Sequence, residues 1–304
     1  MKKNLISIDD LSITEINKIH DLALHYYKTK DNHEAELKNK LLVNFFFENS
    51  TRTRTSFEIA AKRLGAEVIN INVALSSLNK GETIIDTAKT INAMNPDFVV
   101  CRHNASGIFN LLEKYFNCQL INAGDGTNEH PTQALLDSFV IKQHKGELKD
   151  LNIAICGDTL HSRVARSNLK LLSKLGAKIN IIAPPTLVTK DYKNWLMDNW
   201  GAKLYKSLML GIKDVDVIMM LRIQQERMAG GYLPSLNEYF KLYGLTHDKL
   251  KAAKEDVIVM HPGPINREVE ISSLLADDLK TSLILDQVEA GVAVRQAILK
   301  LYLT

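Results

Sequence analysis

The feature that most restricts how this chain can fold is an alternation. Short apolar runs of strand length are followed repeatedly by segments in which apolar residues return at helical spacing. The first clear pair is Leu41 to Phe47, an aromatic-rich run, followed by Phe57, Ala60, Ala61 and Leu64 and closed by Gly65. Glu67 to Ile71, Asp97 to Cys101 and Gln119 to Asn122 repeat the strand pattern, with helical segments beginning near Glu82 and over 107–115. Continuous apolar runs suit strands covered on both faces, so this order predicts parallel sheets flanked by helices. Ahead of them, Ser12 with Glu15 three residues later opens a helix over 12–27 as a capping box.

A second pattern of the same kind begins after the hydrophilic stretch His144-Lys145-Gly146-Glu147-Leu148-Lys149-Asp150, the best domain joint in the chain. Asn152 to Cys156, Lys178 to Ala183, Asp216 to Leu221 and Val257 to Met260 read as strands. Val164 to Leu175 and Tyr192 to Trp200 read as helices, and Leu285, Val288, Val292 and Leu299 mark a terminal one. Residues 226–246, which mix Met228, Gly230, Gly231, Tyr232 and Pro234, read as a mobile loop.

Functional groups gather where the strands end. Arg52 and Arg54, then Arg102, His130, Arg163 and Arg222 all follow strands, the position at which open α/β sheets bind ligands. Arginine grips phosphate and carboxylate oxygens with paired hydrogen bonds. The run Ser50-Thr51-Arg52-Thr53-Arg54-Thr55 adds hydroxyls and the free N–H groups of a helix start, which together make an anion site. The pattern calls for more than one anionic ligand held across two domains, and for direct transfer between aligned ligands.

Other chemistries fit less well. G-x-S-x-G and Walker A motifs are absent, and Gly157-Asp158-Thr159-Leu160-His161-Ser162 stands where a dinucleotide fold would carry G-x-G-x-x-G. The nine histidines form no H-x-x-x-H pair, so no metal is expected. A net charge of +3, from 38 basic and 35 acidic residues, gives no field for nucleic acid. Three cysteines, Cys101, Cys118 and Cys156, without C-x-x-C spacing suit a reducing cytoplasm. No apolar run is long enough to cross a membrane.

The segment Phe47-Glu48-Asn49-Ser50-Thr51-Arg52-Thr53-Arg54-Thr55-Ser56-Phe57-Glu58 resembles the carbamoyl phosphate signature of the aspartate and ornithine carbamoyltransferases. The likeness continues in order through Lys80-Gly81-Glu82, Arg102-His103, His130-Pro131-Thr132-Gln133, His161-Ser162-Arg163, Arg222-Ile223-Gln224 and His261-Pro262-Gly263-Pro264. Thr132, where the ornithine branch typically has cysteine, and Arg222-x-Gln224 resemble the aspartate branch. A guanidinium suits a second carboxylate and opposes an ammonium. Ser162 and Arg166 depart from the residues that many members of the resembled family have there, glycine and histidine.

The resemblance implies two Rossmann-like α/β domains with a cleft between them. Residues 1–145 would bind carbamoyl phosphate and 146–285 aspartate, with 286–304 a C-terminal helix packing back on the first domain. It assigns the phosphate to Ser50, Thr51, Arg52 and Thr53, and polarisation of the carbamoyl carbonyl to Thr53, Arg102 and His130. Gln133 and the backbone near Pro262 and Gly263 would hold the carbamoyl NH₂ group, while Arg163, Arg222 and Gln224 would bind aspartate. Arg54 would organise rather than react. Ser76 and Lys80 would enter from a neighbouring subunit, Lys80 reaching both substrates, which makes the assembly a homotrimer with shared sites and allows separate regulatory chains. No cofactor is implied. The implied reaction gives N-carbamoyl-L-aspartate for pyrimidine synthesis; transfer to ornithine or an acylated ornithine, or a non-catalytic trimeric anion-binding scaffold, are the alternatives.

Overall fold

In the computed structural model, which describes residues 4–30, 35–72, 81–223 and 235–303, the alternation becomes two all-parallel sheets. The chain divides into two units, Met1–Phe139 with Val288–Thr304, and Val140–Gln287.

The first unit begins with α1 (Ile13–Lys28), whose capping box is formed as the sequence predicts: Glu15 N donates to Ser12 Oγ and Ser12 N to Glu15 Oε2. Its sheet has the order β2-β1-β3-β4, built from β1 (Leu41–Phe46), β2 (Glu67–Asn72), β3 (Phe98–His103) and β4 (Gln119–Asp125). The helices between them are α2 (Thr51–Arg63), α3 (Ile84–Ala93) and the four-residue α4 (Phe109–Leu112), much shorter than the expected 107–115 segment. Phe45, Val99, Cys101, Phe109, Leu112 and Leu120 are fully buried in one cluster on this sheet. Each large apolar side chain there contributes about 1.5–3 kcal/mol by leaving water. Leu5 covers the outer side of β4, donating to Leu120 O and accepting from Asn122 N, so that edge is not left open.

The second unit has the sheet order β7-β6-β5-β8-β9. After α5 (Pro131–Lys145), shared by both units, come β5 (Asn152–Cys156), α6 (Arg163–Lys174), β6 (Lys178–Ile182) and α7 (Lys190–Trp200). Next are β7 (Lys203–Tyr205), α8 (Leu208–Gly211), β8 (Val217–Met220), α9 (Leu236–Tyr243), α10 (His247–Leu250), β9 (Ile258–Met260) and α11 (Ser273–Ala276). The chain closes with α12 (Ile284–Leu303), which rejoins the first unit from Val288 onward.

Helix α9 lies inside the stretch read as loop. Ser235 caps it by accepting from Glu238 N, and Tyr239 and Tyr243, one turn apart, stack at 5.4 Å and pack into the core. The Lys249 ammonium then holds its end, donating to the carbonyls of Lys241 and Gly244 at 2.7 Å each. The glycines and proline just before it hid that periodicity. The short edge strand β7 was also unforeseen, since three residues give too little pattern.

In the first sheet the chain steps from β1 outward to β2 on one side and to β3 on the other; in the second it steps from β5 to β6 and to β8. Each sheet therefore has a switch point, between β1 and β3 and between β5 and β8. Loops leaving the strand ends at such a point run apart and leave a crevice for ligand.

Candidate functional site

The first unit places Ser50, Thr51, Arg52, Thr53 and Arg54 just beyond β1, at its switch point. Ser50 precedes the first turn of α2 and makes no side-chain capping bond, and that turn carries no acid. Helix-start N–H groups and the positive end of the dipole remain suited to an anion there. Thr53 is buried, whereas Thr51, Arg52 and Arg54 are exposed. On the other side of the switch point, Arg102, next to last in β3, is in register with Phe46, and its carbonyl accepts from Phe47 N at 2.9 Å. Its Nε donates to Glu48 Oε2 at 3.0 Å, in a pair mostly screened from water. Glu48 thus holds the Arg102 fork beside the start of the run Ser50 to Arg54.

His130 is brought in by a buried carboxylate. Asp125, at the end of β4, accepts from Gly107 N at 2.7 Å and from Asn122 Nδ2, Asn128 Nδ2 and Glu129 N at 3.0 Å each. It thereby joins the loop after β3 to the loop after β4. Glu129 in turn accepts from Ser7 Oγ and from Ile8 N. The chain is so fixed immediately before His130, which is 3% exposed at the entrance to α5. Pro131 takes the first helical position, where its missing N–H costs nothing. Gln133 follows, nearly buried, with its Nε2 donating to Asp137 Oδ1 at 2.9 Å. Burial pushes the neighbouring His103 below the ordinary histidine range, against the charges of Glu48 and Asp125.

The second unit repeats the plan. Arg163 opens α6 after β5, and Ser162, the departure from the family pattern, caps that helix by accepting from Ala165 N at 3.1 Å. Arg166 lies over the Trp195 ring at 5.2 Å. Across the switch point Leu221 N donates to Cys156 O at 2.8 Å, and Arg222 follows directly. A second buried carboxylate, Glu270, accepts from Ile223 N, Asn266 N and Asn266 Nδ2, each at 2.8 Å. It joins the loop after β8 to the loop after β9, where Pro262 and Gly263 lie. His261 Nδ1 accepts from Gly263 N at 2.9 Å, which leaves the ring proton on Nε2, 3.8 Å from Glu270 Oε2.

The residues singled out in the sequence thus fall into two sets, each within one unit: Ser50 to Arg54, Arg102, His130 and Gln133, and then Arg163, Arg222, Pro262 and Gly263. Ser76, Lys80 and Gln224 lie outside the described residues. Sequence reasoning missed Glu48, Asp125 and Glu270. The only local signal was the placing of Asp125 between Gly124 and Gly126 after a strand. Among the described residues no group of His, Cys, Asp or Glu could hold a metal ion, and no helix is long and apolar enough to cross a membrane.

Known proteins match the chain in two successive parts. The family description "Aspartate/ornithine carbamoyltransferase, carbamoyl-P binding domain" matches residues 3–143, and the Asp/Orn binding domain of the same family matches 149–302. The aspartate carbamoyltransferase catalytic subunit of Rhodospirillum centenum is 53% identical over 302 residues, covering 98% of this chain and 93% of the relative. That of the Wolbachia of Brugia malayi is 54% identical over 302 residues, covering 99% and 98%. Among solved structures, aspartate transcarbamoylase from Trypanosoma cruzi with carbamoyl phosphate and aspartate superposes with a TM-score of 0.87 at 30% identity, covering 98% of this chain and 95% of that one. Ornithine carbamoyltransferase from Pyrococcus furiosus gives 0.85 at 27% identity, covering 97% and 95%. With both halves matched in order and curated relatives aligned over nearly its whole length, the chain belongs to the aspartate/ornithine carbamoyltransferase family.

Proposed function

We propose that this chain transfers the carbamoyl group of carbamoyl phosphate to the α-amine of L-aspartate, giving N-carbamoyl-L-aspartate and phosphate. The observation that carries the reading is the pairing of arginines with switch points, Arg52 and Arg102 in one sheet and Arg163 and Arg222 in the other, in a chain whose curated relatives are aspartate carbamoyltransferases. Two anion-gripping sets suit a phosphate donor and a dicarboxylate acceptor.

In this reading Ser50, Thr51, Arg52 and Thr53 hold the phosphate. Thr53, Arg102 and His130 draw electron density from the carbamoyl carbonyl, and Gln133 with the backbone at Pro262 and Gly263 orients its NH₂ group. Arg163 and Arg222, with Gln224, take the two carboxylates of aspartate. The deprotonated amine attacks the carbonyl carbon, the oxygen of the tetrahedral intermediate is stabilised by the same donors, and the bond to the phosphate oxygen breaks. The departing phosphate accepts the amine proton, so His130 acts through the carbonyl. Exclusion of water from around the bound pair would align the amine with its target. Ser76 and Lys80 complete the site from a neighbouring subunit of a homotrimer.

Assaying carbamoyl phosphate with aspartate and with ornithine in parallel tests the reading. Strong dependence on aspartate is expected; equal or better turnover with ornithine overturns the acceptor assignment, and no transfer by folded protein favours a scaffold. Mixed trimers of the inactive Lys80→Ala and Arg52→Ala proteins should regain activity if sites are shared. Verified mixed trimers without activity would sink that arrangement.

A further inference from the structure

Gln133 and Asp137 lie one turn apart on α5, and a glutamine and an aspartate at that spacing on an exposed face would be an ordinary solvated pair. Here both are inside: Asp137 is fully buried and Gln133 is 8% exposed. Among the described residues the Gln133 amide is held by one bond, Nε2 to Asp137 Oδ1 at 2.9 Å. A carboxylate oxygen accepts and cannot donate. The amide nitrogen is therefore drawn toward Asp137, and the Oε1 end is turned away from it.

A buried positive charge stands within electrostatic reach of Asp137. Arg295 on α12 is buried, and burial lowers its guanidinium to about 10, an effect that the Asp137 charge opposes. Arg295 Nη1 donates to Ser56 Oγ at 2.9 Å and to Gly291 O at 3.1 Å, and the guanidinium lies over the Phe57 ring at 5.1 Å. Gly291 leaves the space for this: a Cβ there would stand 2.7 Å from Arg295 Nη1. The C-terminal helix thus contributes a buried positive charge fixed against α2, the helix of the proposed phosphate grip, and its field acts on Asp137.

We infer that Asp137 is a positioning residue for donor specificity: it fixes the Gln133 amide so that Oε1, an acceptor, meets the donor's NH₂ group. This rests on the proposed role of Gln133 beside the carbamoyl group. A carbamoyl group has N–H bonds to offer that acceptor, whereas the methyl of acetyl phosphate has none and leaves it unpaired. Asparagine at 137 presents a donor as well as an acceptor, so the Gln133 amide is no longer confined to one orientation.

The test is kcat/KM for carbamoyl phosphate and for acetyl phosphate, at saturating aspartate, in the full-length wild type, Asp137→Asn, Gln133→Ala and the double variant. Asp137→Asn should lower the preference for carbamoyl over acetyl phosphate by about tenfold or more, with the KM for aspartate nearly unchanged. In the Gln133→Ala background the same substitution should cost no further preference, because its effect passes through Gln133. An equal fall for both donors, an unchanged preference, or independent losses in the double variant would each overturn the positioning role. If Asp137→Asn does not fold, Asp137→Asn with Arg295→Met leaves no buried guanidinium without its countercharge and is read the same way. A wild type that transfers neither group overturns the functional reading, and this role with it.

Discussion

Replacing Glu270 by glutamine changes almost no volume and one acceptor, and its consequence can be worked from the bonds the carboxylate makes. Oε1 accepts from Ile223 N and Asn266 Nδ2, and Oε2 accepts from Asn266 N, all at 2.8 Å, with Glu270 fully buried. If the amide oxygen occupies the Oε1 position, the first two bonds survive and the new NH₂ group faces the Asn266 N–H. If it occupies the Oε2 position, the NH₂ group faces two donors instead. The first arrangement is cheaper. It loses one hydrogen bond to a charged acceptor and sets donor against donor, a cost of about 2–3 kcal/mol. For a unit of this size that lowers Tm by roughly 4–12 °C. Ile223 directly follows Arg222, so on the proposed role of Arg222 the KM for aspartate should rise several-fold while the KM for carbamoyl phosphate changes less. Thermal unfolding and steady-state kinetics on the same preparation check both. A Tm within about 1 °C of wild type, or a larger effect on carbamoyl phosphate than on aspartate, would refute the view of Glu270 as the tie between the loops after β8 and β9.

Gly126 has φ +47, and a Cβ there would stand 2.7 Å from Ser106 N and crowd Ser106 Oγ. Gly126→Ala should therefore destabilise by about 2–4 kcal/mol, seen in urea unfolding; a midpoint equal to wild type would contradict the packing. Burial raises the pKa of Glu36, but the Lys300 ammonium at 2.7 Å and the Tyr26 hydroxyl at 2.6 Å outweigh it and hold the carboxyl below the ordinary glutamate range. A depressed folded value stabilises above the unfolded value and is lost as pH falls through the folded one. The Tm gap between wild type and Glu36→Gln should thus be present at neutral pH and close in acid, and a gap independent of pH would count against the pair. Burial pushes the Cys101 and Cys156 thiols far above their ordinary range, while Cys118 is less buried. Iodoacetamide on native protein should label Cys118 first, and mass spectrometry finding Cys101 labelled before unfolding would disprove that order.

What could be read from the sequence and what could not divide along a physical line. Strands β1, β3, β5 and β8 were legible because a strand covered on both faces must be continuously apolar, a local property. The arginines were legible for a related reason: each follows such a run within a few residues. The contacts that fix the loops and helices around them were not, since their partners are set by the fold. Ser7 meets Glu129 across 122 residues, Ile223 meets Glu270 across 47, and Ser56 meets Arg295 across 239. No window of sequence contains both ends of any of these bonds.

The two units answer one problem in the same way. A switch point opens a crevice because the loops on its two sides diverge, and diverging loops have few contacts to hold them. Asp125 joins the loops after β3 and β4, and Glu270 joins those after β8 and β9; both are buried and both accept from backbone N–H groups on each loop. An acid suits this task better than an amide, because loop backbones near a helix start present donors on every side and only a carboxylate accepts with both oxygens. In each unit the acid ties together the loops of two neighbouring strands on the side of the sheet that carries Arg102 or Arg222. The strand ends therefore decide where the site residues stand, and the buried acid decides how firmly the loops around them are held. Variants at the two acids should for that reason loosen ligand binding while leaving the chemistry of the bound pair in place.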